Sequence, residues 1–151
     1  MSPSHQLPKN YDIEEVERRW QSTWRDEDNY FDPSSPEPRF IIDTPPPYPT
    51  GNFHIGNALN WCYIDFIARY KRMRGYNVMF PQGWDCHGLP IEALAQDKLG
   101  LAGAPAIRDC GVDVFNEQCR SMVLRYVKEW QQTVNRMGRW VDFEHGYKTM
   151  D

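Results

Sequence analysis

The sequence has no long apolar run, no closely spaced cysteine pair and no surplus of positive charge. No stretch approaches the roughly 20 apolar residues that a membrane-spanning helix needs. The opening M-S-P-S-H-Q lacks the basic and apolar regions of a secretory leader. Cys62, Cys86, Cys110 and Cys119 are scattered with no C-x-x-C among them, which reads as reduced thiols in the cytoplasm. A zinc site is not expected, because Cys86 and His87 are adjacent and no second ligand pair has suitable spacing. With a net charge of −4, nothing draws the whole chain to nucleic acid, so any RNA contact is local or lies elsewhere. There is no internal repeat and no low-complexity segment.

What is present suits one globular domain with a real core: 151 residues, including six tryptophans, eight tyrosines and seven phenylalanines. Residues 1–9 carry Pro3 and Pro8 and little to bury, and are expected to be disordered. Residues 10–39 hold a helix and a connector. Ile13, Val16, Trp20 and Trp24 follow helical spacing behind the cap candidate Asp12, and the tryptophans read as core packing. D-P-S-S-P-E-P-R (32–39) then hands over to a strand.

The most informative stretch is I-I-D-T-P-P-P-Y-P-T-G-N-F-H-I-G-N, residues 41–57. Phe40-Ile41-Ile42 reads as a core strand, and Pro45, Pro46, Pro47 and Pro49 stiffen the turn after it. Thr50-Gly51 permits close backbone approach, with Asn52 as N-cap candidate. Ile55, Leu59, Cys62, Phe66 and Tyr70 then mark an amphipathic helix. A strand, a tight turn and a helix N-terminus make an anion site, with His54 and Asn57 on one face of the first turn. This predicts a nucleotide-phosphate pocket. It is not a P-loop: Gly51-x-x-x-x-Gly56 has the glycine spacing, but Asn57-Ala58 stands where Lys-[Ser/Thr] is required. No G-x-G-x-x-G dinucleotide fingerprint occurs.

Lys71, Arg72 and Arg74, before Gly75, suit a helix C-terminus. Asn77–Phe80 reads as a second strand and Pro81-Gln82-Gly83 as a turn. Strand, helix and strand form a right-handed parallel unit, whose ligands bind beyond the C-terminal strand ends. Both special stretches, 45–57 and G-W-D-C-H-G-L-P (83–90), fall at that edge. Asp85 there could pair with an ammonium group through a charge-assisted hydrogen bond, or simply cap a turn. Further on, 91–99 reads as a short helix and L-G-L-A-G-A-P-A as a loop. A long amphipathic helix runs from Phe115 to near Gly138, and the tail reads as a strand and turn.

His54-Ile55-Gly56-Asn57, preceded by P-P-x-x-T-G and followed by G-W-D-C-H-G-L-P, resembles the paired signatures of class I aminoacyl-tRNA synthetases. The subgroup is the one acting on valine, isoleucine and leucine, and the resemblance covers about Pro8 to Asp151. The last signature position is Asn57 rather than His. The first hundred residues look most like archaeal-type valine enzymes, whereas the stretch after Pro90 is closer to isoleucine enzymes. The resemblance implies that residues 40–151 are the first half of a Rossmann-like α/β catalytic domain. It implies ATP-dependent activation of a branched aliphatic amino acid, valine first and isoleucine second, and transfer to tRNA, with magnesium accompanying ATP. Thr50, Gly51, His54, Gly56 and Asn57 would meet ATP, His54 and Asn57 being catalytic. Asp85, Pro46, Pro47 and Trp84 would meet the amino acid, and His87 would line the pocket floor or shape the turn.

The K-M-S-K-S loop, the second half of the sheet and the editing and anticodon-binding domains of that family are absent from these 151 residues. A half sheet leaves an unpaired edge and a bare apolar face. The isolated chain is therefore expected to be marginally stable and to charge tRNA weakly or not at all. It would need the remainder of a synthetase or a complementing chain. A stand-alone ATP- or amino-acid-binding paralogue is the alternative.

Overall fold

The structure, a computed structural model, describes residues 10–26 and 31–151. The segment 1–9, expected to be disordered, lies outside the described residues. Helix α1 spans Ile13–Asp26, and the Glu15 N–H donates to Asp12 Oδ1 at 3.0 Å, as expected of a cap. Its apolar stripe is only partly covered. Ile13 and Trp20 are 58% and 45% exposed, so Trp20 is not the core residue its spacing predicts. Trp24 carries the packing: its ring lies over Gly138, which has no side chain to obstruct it, and the Arg69 guanidinium sits 5.6 Å from that ring.

Strand β1 (Arg39–Ile41) pairs in parallel with β2 (Asn77–Met79), Phe40 opposite Val78, and helix α2 (Ile55–Met73) connects them. This is the unit predicted from the sequence. The expected turn at Pro81-Gln82-Gly83 is instead a strand, β3 (Pro81–Trp84). Pro81 is tolerated because it stands first in the strand, where a missing N–H costs least. At Gly83 the Tyr147 ring occupies the space a side chain would need. Strand β3 pairs in parallel with β4 (Asp142–Lys148), Trp84 opposite Lys148, with an irregularity between Pro81 and Gly83. The run 77–84 thus pairs first with β1 and then with β4, giving two short parallel sheets.

After α3 (Leu89–Leu99), Gly100 turns left-handed with φ 65° and ends the helix. The loop expected over 99–106 gives way to a further helix, α4 (Gly103–Cys110). Pro105 fits there because it lies in the first turn, where its absent N–H has no helical partner to lose. Helix α5 (Val112–Arg136) matches the long amphipathic pattern.

The core is aromatic. Trp61, Trp84 and Trp130 form a triangle with centroids 6.0–6.5 Å apart, and Phe53 meets Trp130 edge-on at 5.3 Å. Such pairs add about 0.5–1.5 kcal/mol each beyond the area they bury. Arg139 sits among them, its guanidinium 4.3 Å from the Trp61 ring and 4.6 Å from Phe80. It donates to Gln82 Oε1 at 2.9 Å, and burial lowers its pKa to about 10.

Helix α2 turns inward a different face from the one its spacing predicts. Trp61, Asp65 and Ala68 are buried, whereas Ile55, Leu59, Phe66 and Tyr70 are 84%, 55%, 62% and 56% exposed. Both series recur at three and four residues. The aromatic triangle and a buried carboxylate network decide between them, and the second apolar face stays bare.

Candidate functional site

The proline turn is tied down where it leads into α2. Thr50 N–H donates to the Tyr48 carbonyl at 2.9 Å, folding the chain tightly around buried Pro49. Gly51 adopts φ 74°, a left-handed conformation that favours glycine. Its carbonyl accepts the Trp130 indole N–H at 2.9 Å, so α5 reaches across and holds the turn. Trp130→Phe is expected to lower unfolding free energy by about 1–3 kcal/mol. Amide exchange over residues 50–53 should quicken; unchanged exchange there would mean the indole does not restrain the turn.

His54, not Asn52, is the N-cap of α2. Its backbone is extended (φ −125°, ψ 168°). Nδ1 accepts the Gly56 N–H at 3.1 Å, while Asn57 Oδ1 accepts the His54 N–H at 3.2 Å. This reciprocal box explains a His and an Asn three apart without any ligand. It also fixes chemistry. With Nδ1 accepting, the neutral ring carries its proton on Nε2, and the exposed ring offers that donor outward. The Gly56 N–H, read from the sequence as an anion contact, is occupied by His54. Gly56 serves differently: a side chain there would lie 3.1 Å from the imidazole Nδ1 and Cε1. The Asn57 amide keeps its NH₂ as a donor.

The second stretch meets the first directly. Asp85 N–H donates to the Pro47 carbonyl at 2.9 Å, which brings the G-W-D turn against the proline turn. The Tyr48 hydroxyl is hydrogen-bonded to Asp85, and that bond, aided by the carboxylate's negative charge, raises the phenol's pKa. Thr149 Oγ1 lies 3.3 Å from Asp85 Oδ1 and donates to it. Pro46 and Pro47 are half-buried beside this carboxylate's anchor. Trp84, expected beside the amino acid, is only 2% exposed and belongs to the aromatic core, stacked on Phe143 at 6.4 Å. The reason is the strand at 81–84, which turns it inward. Cys86 is buried, and that burial raises its thiol pKa. His87 is exposed.

Tyr48 and Thr149 were not singled out by sequence reasoning. Tyr48 lies inside the proline signature, where its hydroxyl carries a signal only once Asp85 is placed. Nothing in the sequence marks Thr149. A cavity of about 540 Å³ lies elsewhere, between α1, α5 and β4, with Arg69, Arg139, Asp142 and Glu144 among its lining residues. Among the described residues no three of His, Cys, Asp and Glu cluster to hold a metal, and no helix is long and apolar enough to cross a membrane.

The family described as tRNA synthetases class I (I, L, M and V) matches residues 19–151. The chain belongs to that family. Among class I synthetases it is 52% identical over 145 residues to the valine--tRNA ligase of Archaeoglobus fulgidus, covering 96% of this chain and 16% of the relative. The valine--tRNA ligases of Methanothrix thermoacetophila and Methanocaldococcus jannaschii are 50% and 44% identical, each over 96% of this chain and 16% of theirs. The fold matches a solved LeuRS–tRNA–LeuAMS ternary complex from Agrobacterium radiobacter. There the TM-score is 0.75 at 26% identity, over 94% of this chain and 16% of that one. This synthetase segment therefore spans 16% of the length of these relatives. The match to valine ligases runs over 145 residues, so it includes the stretch after Pro90 that looked closer to isoleucine enzymes.

Proposed function

We propose that this segment forms the first half of the amino-acid activation site of a valine--tRNA ligase. The observation that carries the reading is the Asp85 N–H bond to the Pro47 carbonyl, 2.9 Å. It sets a carboxylate beside the proline turn, and that turn leads into the capped start of α2. Asp85 would pair with the α-ammonium group, its remaining lone pairs being available after the Tyr48 and Thr149 bonds. Pro46 and Pro47 would wall the aliphatic side chain. The amino-acid carboxylate would attack the α-phosphorus of ATP, breaking the bond to the β-phosphate bridge and releasing pyrophosphate. His54 Nε2–H, the Asn57 amide and Thr50-Gly51 would receive charge on the phosphates, which such displacement chemistry needs more than covalent help.

Magnesium would come with the nucleotide and supply further charge neutralisation. A cytoplasmic setting suits the four free thiols. Transfer to tRNA would depend mainly on the remainder of the synthetase, since this segment has a net charge of −4. The same reading extends the domain assignment: 10–39 as helix and connector, 40–151 as the half catalytic domain. One methylene distinguishes valine from isoleucine, worth about 1–3 kcal/mol in a pocket of this kind. The relatives favour valine.

Valine-dependent ATP–pyrophosphate exchange by the full-length protein tests the reading. Exchange with valine, lost in Asp85→Ala, is the expected result. Isoleucine supporting faster exchange than valine would move the assignment to the isoleucine enzyme. No exchange with either, alongside intact ATP binding, would leave a non-ligase binding protein.

A further inference from the structure

We infer that Thr149 is a positioning residue for amino-acid recognition, acting through Asp85; the inference rests on the ammonium role proposed for that carboxylate. The Thr149 hydroxyl bridges the G-W-D turn. It accepts the Cys86 N–H at 2.9 Å and donates its single proton to Asp85 Oδ1 at 3.3 Å. The Thr149 N–H donates to the Trp84 carbonyl at 3.0 Å. Three consecutive residues, Trp84, Asp85 and Cys86, are therefore each bound by one threonine.

The geometry is fixed from outside the turn. Lys148 stands opposite Trp84 in the β3–β4 ladder, so strand register alone delivers Thr149 to Asp85. Beyond it the Asp151 N–H donates to the Lys148 carbonyl at 3.1 Å, and Lys148 Nζ lies 3.7 Å from Asp151 Oδ2. That closed turn holds the backbone, and β-branching restricts the rotamer. With a lone pair taken up by the Cys86 N–H on the other side, the hydroxyl directs its one proton at the carboxylate. Asp85 is thus held from two sides: its backbone N–H by the Pro47 carbonyl of the proline turn, and its carboxylate by Thr149. With both backbone and one carboxylate oxygen fixed, the free lone pairs point in one direction, which is what discrimination of an ammonium group requires.

The test compares Thr149→Val, Thr149→Ser and Asp85→Asn, singly and with Thr149→Val added to Asp85→Asn, in valine-dependent exchange by the full-length protein. Thr149→Val should raise the KM for valine about tenfold, the scale of one hydrogen bond to a charged group, with the KM for ATP unchanged. Thr149→Ser should stay within about twofold of wild type because it keeps the hydroxyl. Added to Asp85→Asn, Thr149→Val should do nothing more, since its target charge is gone. An unchanged valine KM in Thr149→Val, or an equal further loss in the Asp85→Asn background, would overturn the inference. If Asp85→Asn itself leaves the valine KM unaltered, the ammonium reading fails instead. Should the valine variant not fold, Thr149→Cys, a weak donor of similar shape, reads the same KM.

Discussion

Substituting His54 by asparagine is expected to lower kcat for valine-dependent pyrophosphate exchange about a hundredfold while leaving α2 capped. The imidazole does two jobs with two nitrogens. Nδ1 accepts the Gly56 N–H at 3.1 Å, an N-cap function asparagine performs well. Nε2 faces outward and, on the proposed reading, meets charge building on the transferred phosphate. Asparagine keeps the first function and loses the reach of the second. His54→Ala loses both, and should add about 1 kcal/mol of destabilisation to the same kinetic defect. The pair separates the roles: wild-type exchange in His54→Asn, with a stability loss in His54→Ala, would make His54 a cap and nothing more. The effect belongs in kcat because charge on those oxygens grows toward the transition state, so ground-state binding of ATP should change little.

The largest stability effect is expected at Asp65. This carboxylate is 6% exposed and faces inward from the middle of α2. Oδ2 accepts Arg69 Nε at 2.6 Å and Oδ1 accepts the Trp140 N–H at 3.0 Å. Arg69 in turn donates to the Gly138 carbonyl and lies 5.5 Å from the Trp140 ring. The network fastens α2 to the chain where it leaves α5 for β4. Asp65→Ala strands a half-buried guanidinium and a backbone N–H together, a loss of about 3–5 kcal/mol by the usual cost of breaking a buried pair. For a domain of this size that is a fall of roughly 10 °C in Tm. Asp65→Asn should lose less, because its amide oxygen still accepts from Trp140. Thermal unfolding decides it: a Tm within about 2 °C of wild type in Asp65→Ala would show that the network contributes little. The consequence reaches function, since Thr149 directly follows β4 and the register of that strand depends on where the chain leaves α5.

The local part of this protein was legible in its sequence. Proline dihedrals, glycine freedom and helical spacing are properties of neighbouring residues, so the stiff turn at 45–49, the long helix α5 and the parallel β1–α2–β2 unit could be read directly. The paired stretches 45–57 and 83–90 could be assigned to one edge because strand polarity fixes where both must end. The sequence did not determine which apolar series of α2 faces inward. Ile55-Leu59-Phe66-Tyr70 and Trp61-Asp65-Ala68 share one periodicity, and only the aromatic partners and Arg69 distinguish them. The strand at 81–84 was hidden for the same reason: Pro81 and Gly83 read locally as a turn, and become a strand when Asp142–Lys148, nearly sixty residues on, supplies the ladder. His54 as cap and Trp84 as core followed from placement. Thr149 depended on it wholly, because a threonine in a polar tail gains a role only when strand register sets its hydroxyl against Asp85 across 64 residues of chain.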